Sequence, residues 1–338
     1  MHQWNSTSPD GNSSASGLGQ VERVLVPILD VLILTLGICG HSMVMVILCG
    51  RRRGPPPGSS PQNSVTGTGT DILLLALSAA DLLLLSVLPF HTTAIALQHW
   101  PFGDVMCRVV GFLGSACTSA SVFTLAALAV SRYLTVVKPA KAYFLLSPKR
   151  VSLVACLLWI PACGLAAPQL IFRYVGTPKS TPDGLICFSF LSHKGQMIYG
   201  LVHFVVAFLL PLFTIAVAYS GIYVFLWVTR HQTRAPQVER YQSKVTQTSA
   251  MLVLAFTVCW LPSYGLTLAL VAEETSGATG TSPRYGGFSV FARLMATSST
   301  VVNPILYVLM SQKFREDLVK LFKRTRPEDN GAVSMGTT

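Results

Sequence analysis

Residues 71–97 read DILLLALSAADLLLLSVLPFHTTAIAL. A helix needs about 20 apolar residues to cross the hydrocarbon of a bilayer, and this stretch supplies them. It lacks the period-2 alternation of a lipid-facing barrel strand, so it reads as a membrane-spanning helix. Asp81 sits near its middle. An ionisable group at that depth is costly, so Asp81 must face the interior of a bundle and find partners there.

Working outward, six more stretches of the same kind occupy 24–49, 105–137, 151–172, 197–228, 246–272 and 286–310. Seven spans define an all-α membrane protein, a seven-transmembrane helix bundle over 23–310. An N-terminal segment, 1–22, precedes it; residues 311–325 and a tail, 326–338, follow. Composition agrees, with 51% hydrophobic residues, 12% charged and a mean hydropathy of +0.53; soluble domains carry about twice that share of charge. The first stretch is too long, and starts too far into the chain, for a cleaved signal peptide.

The net charge is +11. Counting Arg132 at the inner end of the third span, eighteen of the 25 lysines and arginines fall on the side reached after the first, third, fifth and seventh spans. That bias is the positive-inside rule: it places the N-terminus outside the cell, makes the basic excess a topology signal, and removes nucleic acid as a partner. Acidic phospholipid of the bilayer is the natural neighbour of the basic side. Sequons at Asn5 and Asn12 agree, because glycosylation requires a lumenal segment. Six of the eight cysteines lie within spans and read as small apolar residues. Cys107 and Cys187 both fall at the outer side, and an extracellular disulfide is their natural reading.

Most connections are short, so sequential helices are antiparallel neighbours. The exception is 50–70, GRRRGPPPGSSPQNSVTGTGT, which reads as a disordered inner loop. Over 172–193, two β-prone runs flank a Thr/Pro/Asp-Gly segment, the signal of a hairpin over the bundle mouth. Residues 311–325 put Phe314, Leu318, Val319, Leu321 and Phe322 on one face and basic residues opposite, an amphipathic helix for the inner membrane surface, and no cysteine follows to carry a palmitoyl anchor. There are no paired broken helices of a transporter. Neither is there a nucleophile, base or metal cluster, nor a cofactor motif, so the chain does not read as an enzyme.

Several short motifs stand in order along these spans. They are Leu77-Ser78-Ala79-Ala80-Asp81, Trp100 before Cys107, Ser131-Arg132-Tyr133 with Pro139 following, and Trp159. Pro211 and Tyr219, Phe256 with Cys259-Trp260-Leu261-Pro262, and Asn303-Pro304-Ile305-Leu306-Tyr307 complete the set. Over about 20–325 the chain thereby resembles the rhodopsin-like G protein-coupled receptors of the plasma membrane. The resemblance implies that Asp81, Ser121, Ser299 and Asn303 hold a sodium ion; the alternative is a hydrogen-bond network without one. It implies a packed layer of Val122, Pro211, Phe256 and Trp260 that rearranges under a ligand, with bending allowed at Pro262 and Pro304 and with Asn303 and Tyr307 in the switch. At the inner side Ser131, Arg132, Tyr133, Pro139, Tyr219 and Lys244 would meet a heterotrimeric G protein, and arrestin and receptor kinases would be further partners.

Three departures stand out. Ser131 replaces the acidic residue that usually precedes the arginine, which predicts raised ligand-independent activity or a receptor held off by other contacts. His41 replaces the usual asparagine of the first span; it either pairs with Asp81 as a pH-sensitive element or is a neutral histidine with one hydrogen bond. Ser299 stands where asparagine is common.

Gly114 occupies the position of the amine receptors' aspartate, so a biogenic amine does not fit, and no lysine in the seventh span could hold a retinal Schiff base. The expected pocket draws on His91, on Gly114, Ser115 and Thr118, on His203, on Tyr264 and Thr267, and on Ser289, Arg293 and Thr297. Arg293 could meet a ligand carboxylate, or pair with Glu273 and Glu274. An open mouth, a mixed polar pocket and a short third inner loop favour an extracellular peptide acting through an inhibitory G protein. Among peptide receptors the chain looks most like the galanin and kisspeptin branch and its orphan relatives. The alternatives are a receptor for a small carboxylate or lipid anchored by Arg293, and a constitutively active receptor that needs no agonist.

Overall fold

A computed structural model of the chain describes residues 11–53, 61–177, 185–189, 193–232, 236–275, 286–310 and 312–325. Asn5 and the 326–338 tail lie outside the described residues, as do the side chains of Asn12, Lys244 and Tyr307. The first three helices are α1 (Gly11–Arg53), α2 (Pro61–Leu97) and α3 (Gly103–Val137). A short α4 (Pro139–Leu145) precedes the fourth span, which is α5 (Pro148–Leu157) plus α6 (Trp159–Phe172). Strands β1 (Arg173–Gly176) and β2 (Ile186–Ser189) follow, then α7 (His193–Phe204), a π-helical turn (Val205–Leu209) and α8 (Leu210–Gln232) as the fifth. The last are α9 (Pro236–Thr275), α10 (Gly286–Met310) and α11 (Gln312–Thr325).

Among the described residues, five helical stretches are long and apolar enough to cross a membrane: Arg23–Arg51, Gly69–Leu97, Gly103–Val137, Pro148–Phe172 and Lys194–Thr229, with a shorter apolar run, Val253–Ala269, in α9. Ile28, Leu32, Leu153, Ile160, Phe213 and Val217 are exposed on them. Water would punish such surfaces; lipid tails are as apolar as the side chains, so the helices are held together by packing and polar contacts instead.

Two irregularities follow from proline. Pro161 has no N–H for the Leu157 carbonyl, and the fourth span breaks at Leu158. Pro211 cannot donate to Ala207 and its ring crowds that carbonyl; the chain widens into the π-turn, in which Leu210 N–H reaches back to Val205.

The helices close into a ring: α1 packs on α2 and α10, and α10 on α9. The most buried helix, α3, touches α2, α6, α8 and α9. At the end away from the hairpin, Leu48, Leu73, Leu77, Leu125 and Leu128 form one cluster, into which α11 inserts Phe314 beside Leu318 and Leu321. The 50–70 loop is shorter than its composition predicts. Helix α2 already runs from Pro61, because Gly69 and Thr70 are buried: a Cβ on Gly69 would lie 2.5 Å from the Leu146 carbonyl oxygen, so only glycine lets α2 approach that segment. Close approach recurs at Gly40, where a Cβ would sit 2.7 Å from the Pro304 ring.

The hairpin expected over 172–193 is present and antiparallel, pairing Arg173 with Ser189 and Val175 with Cys187. Its disulfide joins Cys187 to Cys107 at the start of α3. Trp100 packs under it, only 4% exposed, with Trp100 N–H donating to the Leu185 carbonyl at 2.7 Å. Asp104 Oδ1 accepts from Val175 N–H at 3.1 Å and ties β1 to α3.

Candidate functional site

Beneath the hairpin the helices enclose a cavity of about 640 Å3. All ten residues that the sequence placed in a pocket line it: His91 from α2, Gly114, Ser115 and Thr118 from α3, His203 from α7, Tyr264 and Thr267 from α9, and Ser289, Arg293 and Thr297 from α10. Their spacing explains the convergence, since each helix contributes positions one turn apart on its inward face. Gln169, Arg173 and Tyr199 line it too and were not anticipated.

A hydrogen-bonded chain crosses this space. Arg173 NH1 donates to Gln169 Oε1 at 3.3 Å, and Gln169 Nε2 donates to the Tyr199 hydroxyl at 3.1 Å. Tyr199 meets Ser115 at 3.4 Å, Ser115 meets His203 Nε2 at 3.4 Å, and His203 Nδ1 meets the Tyr264 hydroxyl at 3.3 Å. From Tyr264 an aromatic stack continues inward, 6.1 Å to Trp260 and 5.8 Å more to Phe256. Trp260 Nε1 donates to Ser299 Oγ at 3.1 Å, linking α9 to α10. Of the expected packed layer, Val122 and Pro211 are buried, while Pro262 and Pro304 lie within α9 and α10.

Arg293 meets a partner that the sequence reading did not name. Its NH2 is 3.1 Å from Asp30 Oδ2, and Thr92 Oγ1 donates to the same oxygen at 2.9 Å. The side chains of Glu273 and Glu274 lie outside the described residues. The Asp30 carboxylate is fully buried in α1, where only a cation and a hydroxyl make its charge tolerable. Arg173 differs: its Nε donates to Cys187 Sγ at 3.2 Å, and among the described residues it has no carboxylate partner. Burial pulls the Arg173 guanidinium below its ordinary value, yet an arginine stays charged at neutral pH.

Deeper in the bundle, Ser121 Oγ donates to Asp81 Oδ1 at 2.8 Å and Asn303 Nδ2 to Asp81 Oδ2 at 2.7 Å. His41 Nε2 lies 3.4 Å from the latter oxygen and 2.7 Å from the Thr300 carbonyl, to which it donates. Ser299 points elsewhere, donating to the Ala296 carbonyl at 2.7 Å. A hard cation needs converging oxygen lone pairs. Here both carboxylate oxygens already face donors, and Asn303 presents its amide nitrogen. Of the four residues expected to hold sodium, three meet, and they fit a satisfied hydrogen-bond cluster better than an oxygen cage.

At the end away from the hairpin, Ser131 is 1% exposed and its hydroxyl has no partner among the described residues. Tyr133 packs against Gly221, where a Cβ would come within 2.7 Å of its ring, and with Tyr219 borders a cluster of Ala129, Ile215, Ala218 and Val253. Pro139 is the first residue of α4, where a missing N–H costs nothing. Arg132 of α3 is half-buried.

Residues 62–307 match the family model described as seven-transmembrane receptor (rhodopsin family). The chain belongs to that family. Among curated proteins this receptor is 27% identical over 320 residues to somatostatin receptor type 1 of Rattus norvegicus, covering 93% of this chain and 76% of the relative. It is 30% identical over 315 residues to galanin receptor type 3 of Homo sapiens, covering 92% and 82%. To a QRFP-like peptide receptor of Branchiostoma floridae it is 27% identical over 307 residues, covering 87% and 76%. As a rhodopsin-family receptor it is a multi-pass membrane protein and not an enzyme. Asp81, Arg132, Trp260 and Asn303 fall inside the matched region, whereas Asp30 and His41 of α1 precede it.

Proposed function

We propose that this receptor takes an extracellular peptide in the cavity beneath the hairpin and signals through a heterotrimeric G protein, of the inhibitory class, at the opposite face of the plasma membrane. The observation that carries the reading is the cavity itself. It lies under a disulfide-tethered hairpin, is lined by polar and aromatic groups of α2, α3, α6, α7, α9 and α10, and is connected by the Tyr264–Trp260–Phe256 stack to the proline of α9. The names of the somatostatin, galanin and QRFP-like peptide receptors point the same way.

In this reading a peptide side chain entering between His203 and Tyr264 displaces Trp260 and releases its bond to Ser299. The two helices then repack, α9 pivoting at Pro262 and α10 at Pro304, and Arg132, Tyr219 and Lys244 become available to the G protein. Arrestin and receptor kinases act on the same activated form. A small carboxylate anchored by Arg293 is a weaker reading, because Asp30 already neutralises that side chain.

The test is a peptide library applied to cells expressing the full chain with a panel of G protein sensors. Activation of an inhibitory-class sensor, reduced about tenfold or more in potency by Tyr264→Ala, is the expected result. Response to no peptide, with normal surface expression, overturns the proposal.

A further inference from the structure

The charged groups facing the cavity are of one sign. Arg173 and Arg293 are the charged lining side chains, and no aspartate or glutamate lines it among the described residues. The two arginines are not equivalent. Arg293 is bonded to a buried carboxylate, so its field is largely cancelled locally. Arg173 holds only the neutral acceptors Gln169 Oε1 and Cys187 Sγ. A half-buried guanidinium with five donors and, among the described residues, no counter-ion leaves strong hydrogen-bonding capacity directed at the cavity.

The receptor makes room for this side chain. A Cβ on Gly111 of α3 would lie 2.7 Å from Arg173 Cδ and 3.0 Å from NH1, so the arginine lies flat against a glycine surface. Its base is fixed by the first hairpin pair and by the disulfide, with Cys187 receiving its Nε–H. Arg173 is therefore positioned, charged and open on its cavity side.

The geometry points to Arg173, rather than Arg293, as the anchor for an anionic group of the ligand, a carboxylate or sulfate set beside the aromatic Tyr199–His203–Tyr264 wall. This rests on the peptide reading for the ligand's class and adds its charge and contact residue. Binding there also has a route inward. An anion that takes Arg173 NH1 frees Gln169, whose other end holds Tyr199, the start of the chain to Tyr264.

The test uses the full receptor on cells, with an epitope tag reporting surface number, as wild type and as Arg173→Gln, Arg173→Lys, Arg173→Glu and Gly111→Ala. The probes are matched peptide pools: amidated with Asp, Glu or sulfotyrosine side chains, free C-terminal acid without acidic side chains, amidated neutral, and amidated basic. A fifth arm uses small arylalkanoate ions. The expected result is that an acidic arm is the potent one on wild type and that Arg173→Gln weakens it about tenfold or more. Arg173→Lys keeps most of the response, Gly111→Ala loses part of it, and Arg173→Glu shifts preference to the basic pool, a gain that misfolding cannot produce. Which acidic arm responds identifies the source of the anion.

Neutral pools as potent as acidic ones, or an acid preference that survives Arg173→Gln and Arg173→Glu at normal surface number, would overturn the inference and leave the peptide reading standing. A response confined to arylalkanoates and lost in Arg173→Gln would do the reverse. Silence in every arm overturns both.

Discussion

Ser131 is expected to bear on the receptor's resting state. The family pattern places a carboxylate next to the arginine proposed to meet the G protein; here the position holds a buried hydroxyl with no partner among the described residues. A carboxylate there would bind Arg132 and favour the inactive packing, because a charge-assisted contact outweighs any bond a serine can offer. Ser131→Asp is expected to lower basal signalling several-fold, read with a G protein sensor at matched surface expression; unchanged basal output would show that other contacts set the resting state. Residue-scale features were legible where a helix presented polar groups on its inward face, as at Ser115, His203 and Thr297. The Asp30 partner of Arg293 was not legible, since it is 263 residues away in α1. That aspartate interrupts an apolar span and carried its own signal, because a lone acid in a membrane helix demands a cation.

At the level of elements, composition misjudged one connection. The Pro, Gly, Ser and Thr content of 50–70 suggested a long flexible loop, but α2 starts at Pro61 and buries Gly69 against Leu146. Low helix propensity was overridden by tertiary contact, as packing often does. The consequence is measurable. Gly69→Ala forces a methyl onto a backbone carbonyl and is expected to cost about 1–3 kcal/mol, lowering the melting temperature of purified receptor by several degrees. Gly164→Ala, whose Cβ meets nothing within 4 Å, is the matched control and should leave it unchanged. If both behave alike, the contact does not position α2. By contrast, the hairpin over 172–193 could be read in advance because turn chemistry and β-prone runs are local signals, while the π-turn before Pro211 could not, since proline permits either a kink or a bulge.

For the molecule as a whole, seven apolar runs and motifs in fixed order made the bundle readable, because lipid leaves helices as nearly the only choice. Orientation rests on the basic bias of alternate segments. An N-terminal tag should therefore be stained on intact cells and a C-terminal tag only after permeabilisation; the opposite pattern would reverse the topology and move the cavity to the inner face. What sequence alone could not supply was which distant helices meet, and that matters for how the receptor is made. Asp30 and His41 enter the membrane with α1, but the Arg293 and Thr300 groups they bond belong to α10, which is synthesised much later. Until α10 is made, the first helix carries a carboxylate without its cation and an imidazole without its carbonyl. An incomplete chain thus displays polar groups inside the bilayer whose partners have not yet been made.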